Sequence, residues 1–360
     1  MDAVGDDVTS RSYLAASALI AIACSNPAGP GLDGTAHSLA ELEERLETLR
    51  GNLKVPGLSV GISEGDRIVW TAGLGFADLE QHKPATQSTD FHIASLTKGF
   101  AGILIVKLVS EGKLSLDDPV TKYGVSIPNN TGIKVRHLAN MTSEGTPGQS
   151  FSYNGDRFAL LQKVIEAASG KSFAQLVVER IVQPAGLLRT APNVYNDAFA
   201  ASGLNRDAFL ANFAVGYNAS GSSFTRSGFP TEFSPAAGMI STVEDMLMYS
   251  IAIDSDRLLT ASERSMLFEP AKSTTGTTLP YAIGWFSQNI RGTMIQWAYG
   301  YWVGNSSLII RVPSMKRAFI ALANSDGLSS RFPLGSGNLE SSPIASEFLN
   351  AFVFGNAPLQ

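Results

Sequence analysis

A serine and a lysine stand three positions apart in FHIASLTKGF, residues 91–100, where an apolar helix is predicted to begin. Positions i and i+3 share one face of a helix, so the side chains of Ser95 and Lys98 are expected to project together. Burial and the positive end of the helix would both disfavour the ammonium form of Lys98, and a neutral amine could take the hydroxyl proton of Ser95. The spacing indicates a nucleophilic serine with a lysine base; the alternative is a lysine that extends to solvent.

Other catalytic or metal-binding motifs are not supported by the sequence around them. The four histidines, at positions 37, 82, 92 and 137, form neither H-E-x-x-H nor a close pair, so no metal site is expected. Residues 57–61, GLSVG, match G-x-S-x-G, but a turn and a second strand follow Ser59 where that motif needs a helix, and it lacks a late histidine. A second S-x-x-K, at residues 110–113, lies at a helix end that Gly112 terminates.

Length and composition indicate a folded protein of moderate charge. The chain has 360 residues, 44% of them apolar, and a net charge of -5. This is enough apolar sequence for one large core or two smaller ones, and without a basic stripe nucleic acid is not an expected partner.

The N-terminal residues differ from the rest. After Arg11 comes the apolar run YLAASALIAIAC, too short to span a bilayer, and a turn-rich segment follows. The run resembles an export signal, and Ala-Ile-Ala before Cys24, the only cysteine, also resembles a lipoprotein box. Three early aspartates depart from that pattern, and the alternative is a short buried helix with a free thiol. We expect residues 1–24 to be an export or lipoprotein signal and 25–37 a linker, hence a periplasmic, secreted or, through Cys24, membrane-anchored protein.

The remaining sequence alternates between sheet-forming and helix-forming blocks. Helical spacing predicts a first helix capped by Ser38, and alternating residues in GLSVGIS and RIVWTAGLG predict a hairpin. Helical patterns fill residues 91–279, and after 280 short apolar runs predict an antiparallel meander and a closing helix. The domain, 38–355, is therefore expected to have an α+β fold. Its antiparallel sheet (38–90 and 280–355) is flanked by N- and C-terminal helices, with a mainly helical insert at 91–279 and a ligand cleft at the seam.

Within the helical block, DRFALLQKVIEAASG is predicted to form one helix that ends at Gly170. The sequence Ser241-x-x-Glu244 is a candidate capping box at the start of a later helix.

Several stretches together resemble the serine β-lactamase and penicillin-binding-protein superfamily, particularly its class C-like, esterase and D-peptidase branch. They lie within residues 40–352 and include VPGLSVGI, STDFHIASLTKGFAGILIVKLVSEGKLSLDDPV, IKVRHLANMTS, FSYNGDRFALLQKVIEAASGKSFAQLV, SPAAGMISTVEDMLMY and NSSLIIRVP. The superfamily's S-x-x-K motif falls on Ser95 and Lys98. The resemblance implies a β-lactamase/transpeptidase-like fold and covalent catalysis without a metal or organic cofactor.

The resemblance also implies a Tyr-x-Asn motif, whose tyrosine falls on Tyr153 and whose asparagine position falls on Gly155. A tyrosine beside a cationic lysine loses its proton more easily, so Tyr153 is expected to act as a base or proton relay; packing under a loop is the alternative. Asn154 stands one residue early, and whether it reaches the site is open.

The superfamily's third motif, Lys-Thr-Gly or His-x-Gly on a strand, falls on Ala298-Tyr299-Gly300; a one-residue slip would put Tyr299 in the cationic position. Either way, the cation that would hold a substrate carboxylate is missing. Gly300 would let the backbone approach a substrate, and the N–H groups of Tyr301 and Ser95 would form an oxyanion hole. Three aromatic residues could form a wall of the cleft or pack on the outer face of the sheet: Tyr299, Tyr301 and Trp302.

These residues predict a serine hydrolase that acts through an acyl-Ser95 intermediate on small-molecule esters, amides or peptides, with Lys98 and Tyr153 removing the proton. The missing cation favours esters and simple amides. One alternative is a β-lactamase or D-alanyl-D-alanine carboxypeptidase with an unusual carboxylate contact. Another is a catalytically silent binding protein of the same fold, because two of the three motifs depart from the family pattern.

Overall fold

A computed structural model describes residues 35–128, 132–221 and 223–359, which all belong to one compact unit. The predicted signal, residues 1–24, and most of the predicted linker lie outside the described residues and stay predictions. Among the helices described, none combines the length and apolar character needed to cross a bilayer.

The main sheet joins the predicted hairpin to the predicted meander. In chain order the strands are β1 (Gly57–Glu64), β2 (Arg67–Asp78), β3 (Lys83–Pro84), β4 (Phe91–His92), β5 (Ala191–Pro192), β6 (Tyr217–Ser220), β7 (Ser223–Arg226), β8 (Met239–Ser241), β9 (Phe286–Ile290), β10 (Thr293–Trp302), β11 (Asn305–Val312) and β12 (Arg317–Ala323). Seven of them form one antiparallel sheet in the order β3-β2-β1-β12-β11-β10-β9. The pairing of β1 with β12, in which Val60 lies opposite Ala321, confirms the predicted sheet.

Helices cover both faces of this sheet. The α-helices of the described residues are α1 (Leu39–Asn52), α2 (Thr97–Ser110), α3 (Val135–Ala139), α4 (Gly155–Ala159), α5 (Leu161–Ser169), α6 (Phe173–Val177), α7 (Gln183–Ala185), α8 (Arg206–Leu210), α9 (Val243–Asp254), α10 (Ala261–Phe268) and α11 (Pro343–Phe352). Phe319 and Ile320 are consecutive on β12 and therefore point to opposite faces. Phe348 of α11 stacks on Phe319 with ring centroids 5.0 Å apart. Gly61, opposite Ile320, lies under Leu247 of α9 on the other face.

Helix α2 runs through the interior, and its burial is important for the site. Nearly all its residues are buried, as expected for a helix that is apolar on every side. Two glycines allow the segment 283–285 to pack closely against it. A Cβ at Gly102 would lie 2.4 Å from the carbonyl oxygen of Ile283, and one at Gly99 would lie 2.8 Å from the Trp285 ring. The first turn of α2 is thereby closed off from water.

Local details depart from the sequence predictions. Ser38 caps α1 as predicted, but α9 is capped by Thr242, whose hydroxyl accepts from the N–H of Asp245. Ser241, the predicted cap, instead ends β8 because it pairs with Phe91. The helix predicted to end at Gly170 does end there but is divided into α4 and α5 at Leu160.

The predicted insert is not purely a separate helical layer. Helix α9 lies within the range 91–279, yet it packs against β1, β2 and β12 of the main sheet because most of its residues are apolar and need cover. The range also contains a small sheet, β4-β8-β5, whose first strand, β4, comes shortly before α2 in the chain.

Candidate active site

Ser95 lies in a single 3₁₀ turn, residues 94–96, that leads into α2. The small sheet fixes this turn, because the N–H of Ile93 donates to the carbonyl of Met239 in β8 at 3.0 Å. Ala94 is fully buried and has a φ of 47°, in the left-handed region that side-chain-bearing residues rarely adopt. Such strain costs on the order of 1–3 kcal/mol and persists only where the surroundings enforce it, as they often do at functional sites.

The predicted base, Lys98, is buried directly beside the predicted nucleophile. Its Nζ lies 2.8 Å from Oγ of Ser95 and donates to the carbonyl of Ala236 at 2.7 Å. The side chain is 1% exposed. Burial lowers the pKa of Lys98 to about 7, although the charge of Asp156 acts in the opposite direction. A large fraction of Lys98 is therefore uncharged near neutral pH.

Tyr153 completes the group around Ser95. Its ring centroid lies 5.3 Å from Nζ of Lys98, and the Ser95 hydroxyl is near enough to act on the pKa of the phenol. Burial raises the pKa of Tyr153 well above its usual value, the Tyr299 hydroxyl acts in the same direction, and the Ser95 hydroxyl acts against them. Tyr153 is therefore a neutral phenol, which can pass a proton on but is a poor resident base.

The residues after Tyr153 turn in different directions. The Asn154 side chain caps α4, since it accepts from the N–H of Arg157 at 2.9 Å, and its amide donates to Glu144. It is therefore occupied in local structure. Gly155 is the position that faces the base: an added Cβ would have Nζ of Lys98 as its nearest neighbour, at 4.0 Å.

Strand β10 borders the turn that carries Ser95. The closest approach is at Gly300, where a Cβ would lie 2.7 Å from the carbonyl oxygen of Ile93 and 2.1 Å from Oγ of Ser307. Ala298 is buried two residues before it. The close approach therefore requires a glycine at position 300.

The three aromatic residues of β10 do not form one wall. Tyr299 packs on Tyr153 with ring centroids 5.3 Å apart, and Tyr301 is 47% exposed. Trp302 contacts the edge of His92, with ring centroids 5.9 Å apart. Since alternate residues of a strand point to opposite faces, Trp302 lies away from Tyr299 and is not part of the same wall.

A groove of about 500 Å³ opens beside Tyr153. It is lined by Phe151, Ser152, Tyr153, Tyr299, Gly335 and Ser336. A second groove, of about 540 Å³, lies around α5, α6 and Phe233. Several of its polar side chains are used in helix caps, including Ser172, Gln175 and Asn196. The first groove is therefore the one connected to the chemistry. Among the residues described, no three His, Cys, Asp or Glu side chains are grouped to hold a metal.

Comparison with known proteins identifies the fold and family. The sequence profile of the family described as Beta-lactamase matches residues 42–338. The chain belongs to the β-lactamase family. A β-lactamase-family relative, "Penicillin-binding protein 4*" of Bacillus subtilis (strain 168), is 25% identical over 334 residues, covering 79% of this chain and 71% of that protein.

Two further proteins, one known from its sequence and one from its structure, are also similar to this chain. "Protein flp" of Staphylococcus aureus (strain MW2) is 23% identical over 317 residues, covering 75% of this chain and 60% of that protein. The chain thus spans less than two thirds of the length of that relative. The solved penicillin-binding protein homologue from Pyrococcus abyssi, described as octameric, superposes with a TM-score of 0.74 at 23% identity, over 88% of this chain and 78% of that one.

Because the chain belongs to the β-lactamase family, its site can be compared with the family's motifs at two positions. The family resemblance puts the motif's asparagine at Gly155, where an added Cβ would lie 4.0 Å from Nζ of Lys98, and its cation at Ala298 or, with a one-residue slip, at Tyr299. The site therefore keeps the hydroxyl, amine and phenol together but lacks two side chains that the family resemblance led us to expect there.

Sequence reasoning missed the groups that surround the lysine. The carbonyl of Ala236 accepts from Lys98, and the Phe158 ring lies 5.7 Å from its Nζ. Glu144 holds the Tyr153 loop through the hydroxyl of Ser152. A carbonyl acceptor has no side-chain signature, although SPAAGM, which contains Ala236, is among the stretches that resemble the family.

Proposed function

We propose that this protein is a serine hydrolase that forms an acyl-enzyme at Ser95. The observation that carries the proposal is the buried Lys98 amine, 2.8 Å from Oγ of Ser95, with a pKa of about 7. A lysine with its ordinary pKa would be almost wholly protonated at neutral pH and could not serve as a base.

In the acylation step, Oγ of Ser95 attacks the substrate carbonyl while its proton moves to Nζ of Lys98. The bond from carbon to the leaving group then breaks, and the departing oxygen or nitrogen takes up a proton through the Tyr153 hydroxyl, which Lys98 replenishes. Because Tyr153 is a neutral phenol, it works by passing one proton on as it receives another. Water then attacks the acyl-Ser95 ester by the reverse path, releasing the acid and restoring the serine.

The tetrahedral intermediate needs donors for its negative oxygen. We assign this role to the backbone N–H groups of Ser95 and Tyr301. The close packing of Gly300 against Ile93 and Ala94, which brings β10 to the nucleophile turn, supports this assignment.

Esters and simple amides are the substrates that the site supports best. Neither candidate position for the family's cation, Ala298 or Tyr299, carries a lysine, arginine or histidine that could hold a substrate carboxylate. The second candidate is binding or cleavage of penicillins, which the name of the Bacillus relative favours. Nitrocefin and a 4-nitrophenyl ester compared at equal enzyme concentration separate the two candidates.

Labelling with a fluorophosphonate tests the nucleophile. We expect one adduct, located on Ser95 by mass spectrometry and absent in Ser95→Ala. Ser110→Ala removes the serine of the second S-x-x-K and is the matched control, which should label normally. A folded protein that shows no adduct on Ser95 with a probe that fits would favour the silent binding protein.

The pH dependence tests the base. Because the neutral form of Lys98 is required, kcat/KM should rise with pH and level off above about 7. At pH 5, about 1% of Lys98 would be neutral, so kcat/KM should be about 100-fold lower than its plateau. A flat profile between pH 5 and 8 would contradict the assignment of Lys98 as base.

A further inference from the structure

The groove beside Tyr153 is aromatic at its floor and uncharged throughout its described lining. Two of its lining residues, Tyr153 and Tyr299, provide aromatic rings beside the site and are called the floor below; the others are Phe151, Ser152, Gly335 and Ser336. Burial raises the pKa of Tyr299 to about 12, so this phenol, like Tyr153, stays neutral at physiological pH. The groove has room for a small ring, with a volume of about 500 Å³.

Rings packed behind the floor hold it in place. Tyr153 stacks on Phe286 with parallel planes and centroids 6.0 Å apart, and Phe286 stacks in turn on Trp297 at 4.1 Å. Phe151 packs on Phe286 at 5.7 Å. A floor that is already packed loses little conformational freedom when a flat ligand covers it, which favours binding.

The position of the groove decides which part of a substrate occupies it. If Tyr153 passes the proton to the leaving group, as proposed above, the leaving group must lie against Tyr153. Tyr153 also lines the groove. The groove therefore holds the alcohol or amine part of the substrate, and the acyl part lies elsewhere.

We propose that this enzyme selects substrates whose alcohol or amine part is an uncharged aromatic group, which stacks on Tyr299 in the groove. This inference rests on the proposed function and adds the class of leaving group. Tyr299 is then a specificity-determining residue: it offers the groove an aromatic face, which attracts aryl groups and gives an anionic group no partner.

A set of butyrate esters tests the inference directly. Benzyl, cyclohexylmethyl, 4-carboxybenzyl and methyl butyrate all form the same butyryl-Ser95 intermediate, so differences in kcat/KM come from the alcohol part alone. We expect benzyl butyrate to exceed cyclohexylmethyl butyrate by about 3- to 10-fold, the range that one aromatic stacking contact provides. The 4-carboxybenzyl ester should be the poorest of the three ring-bearing esters.

Two variants at Tyr299 identify the residue responsible. Tyr299→Phe keeps the ring and should keep the preference for benzyl over cyclohexylmethyl, whereas Tyr299→Ala should reduce that ratio to about one. The ratio is informative even if Tyr299→Ala disturbs Tyr153, because both esters suffer the same loss. Met294→Ala, at the far exposed end of β10, is the control and should leave the ratio unchanged.

Gly335→Val tests the groove without changing either tyrosine. A Cβ at Gly335 would lie 2.9 Å from the Tyr299 hydroxyl, so valine narrows the groove. It should lower kcat/KM for both bulky neutral esters at least about 5-fold and spare methyl butyrate. Cleavage of methyl butyrate at Ser95 without any benzyl preference, or a preference that survives Tyr299→Ala, would overturn the inference and leave the hydrolase standing. No cleavage of any ester and no fluorophosphonate adduct would overturn both.

Discussion

Replacing Lys98 by methionine should stabilise the protein while abolishing its activity, and the stabilisation should depend on pH. The ordinary pKa of a lysine is 10.5, and burial brings that of Lys98 to about 7 in the folded protein. At pH 6 Lys98 is mostly protonated in both states, but the folded state binds the proton much more weakly. This difference lowers the free energy of unfolding by about 5 kcal/mol. At pH 9 the same cost is about 2 kcal/mol.

The sign follows from proton binding. Between pH 7 and 10.5 the unfolded state binds a proton that the folded state does not, so the free energy of unfolding of the wild type rises with pH across this window. Below pH 7 both states are protonated and the full cost is present. Methionine has no such proton, so the advantage of Lys98→Met should shrink by about 3 kcal/mol between pH 6 and pH 9.

Lys98→Met also loses a hydrogen bond. The energetic cost of that loss is the same at both pH values, so it cancels when they are compared. Lys98→Met leaves the carbonyl of Ala236 without its donor, at a cost of about 1–3 kcal/mol that does not change with pH. The net gain at pH 6 should therefore be about 2–4 kcal/mol and close to zero at pH 9.

Urea unfolding of both proteins at pH 6 and pH 9 measures the difference. Titrations elsewhere in the chain are common to both proteins and cancel. Lys107→Met, on the same helix with its side chain partly in solvent, reports what the methionine itself contributes. An advantage of Lys98→Met that is equal at the two pH values would refute the lowered pKa and, with it, the neutral amine on which catalysis depends.

Three further substitutions probe the relay, the base and the frame. Tyr153→Phe should lower kcat/KM by about 100-fold or more for an alkyl ester but less for a 4-nitrophenyl ester, whose leaving group needs no proton; equal losses would contradict the relay. Gly155→Asn places an amide beside Lys98, whose oxygen would favour the ammonium form and move the acid limb of the pH profile to higher pH. Gly155→Ala should leave the limb where it is, and identical profiles for the two variants would show that position 155 does not act on the base. Asp254→Ala leaves the buried Arg311 guanidinium without its ion-pair partner and should cost about 3 kcal/mol in urea unfolding, and a loss below about 1 kcal/mol would refute that estimate.

The fold was predictable because the apolar residues of its strands and helices follow regular patterns in the sequence. Alternation in β1 and β2 and in the late strands marked the sheet, and the apolar run of α2 marked a core helix. The prediction of the residue that caps α9 was wrong. Ser241 and Thr242 are both good caps, and only the pairing of Ser241 with Phe91 decides between them. A strand contact distant in sequence thus overrides a local preference.

The site was predictable in its spacing and not in its surroundings. The separation of Ser95 and Lys98 by one helical turn follows from sequence, but the burial that sets the pKa of Lys98 depends on how far the 283–285 segment approaches α2. Likewise, Tyr153 was expected to lose its proton beside a cation. Burial has the opposite effect on its pKa, so the phenol remains protonated.

In the proposed enzyme, base strength and substrate recognition are carried by different residues, and that separation explains how the third motif can depart from the family pattern while Lys98 keeps its low pKa. The pKa of Lys98 is lowered by burial, which helix α2 and the Tyr153 and Phe158 rings maintain, and neither Ala298 nor Gly155 takes part. The lack of a cation at positions 298 and 299 therefore bears on which substrates are held and leaves the pKa of the amine low. A change that admits water beside Phe158 would do the reverse, since it would raise the pKa of Lys98 and slow every substrate alike.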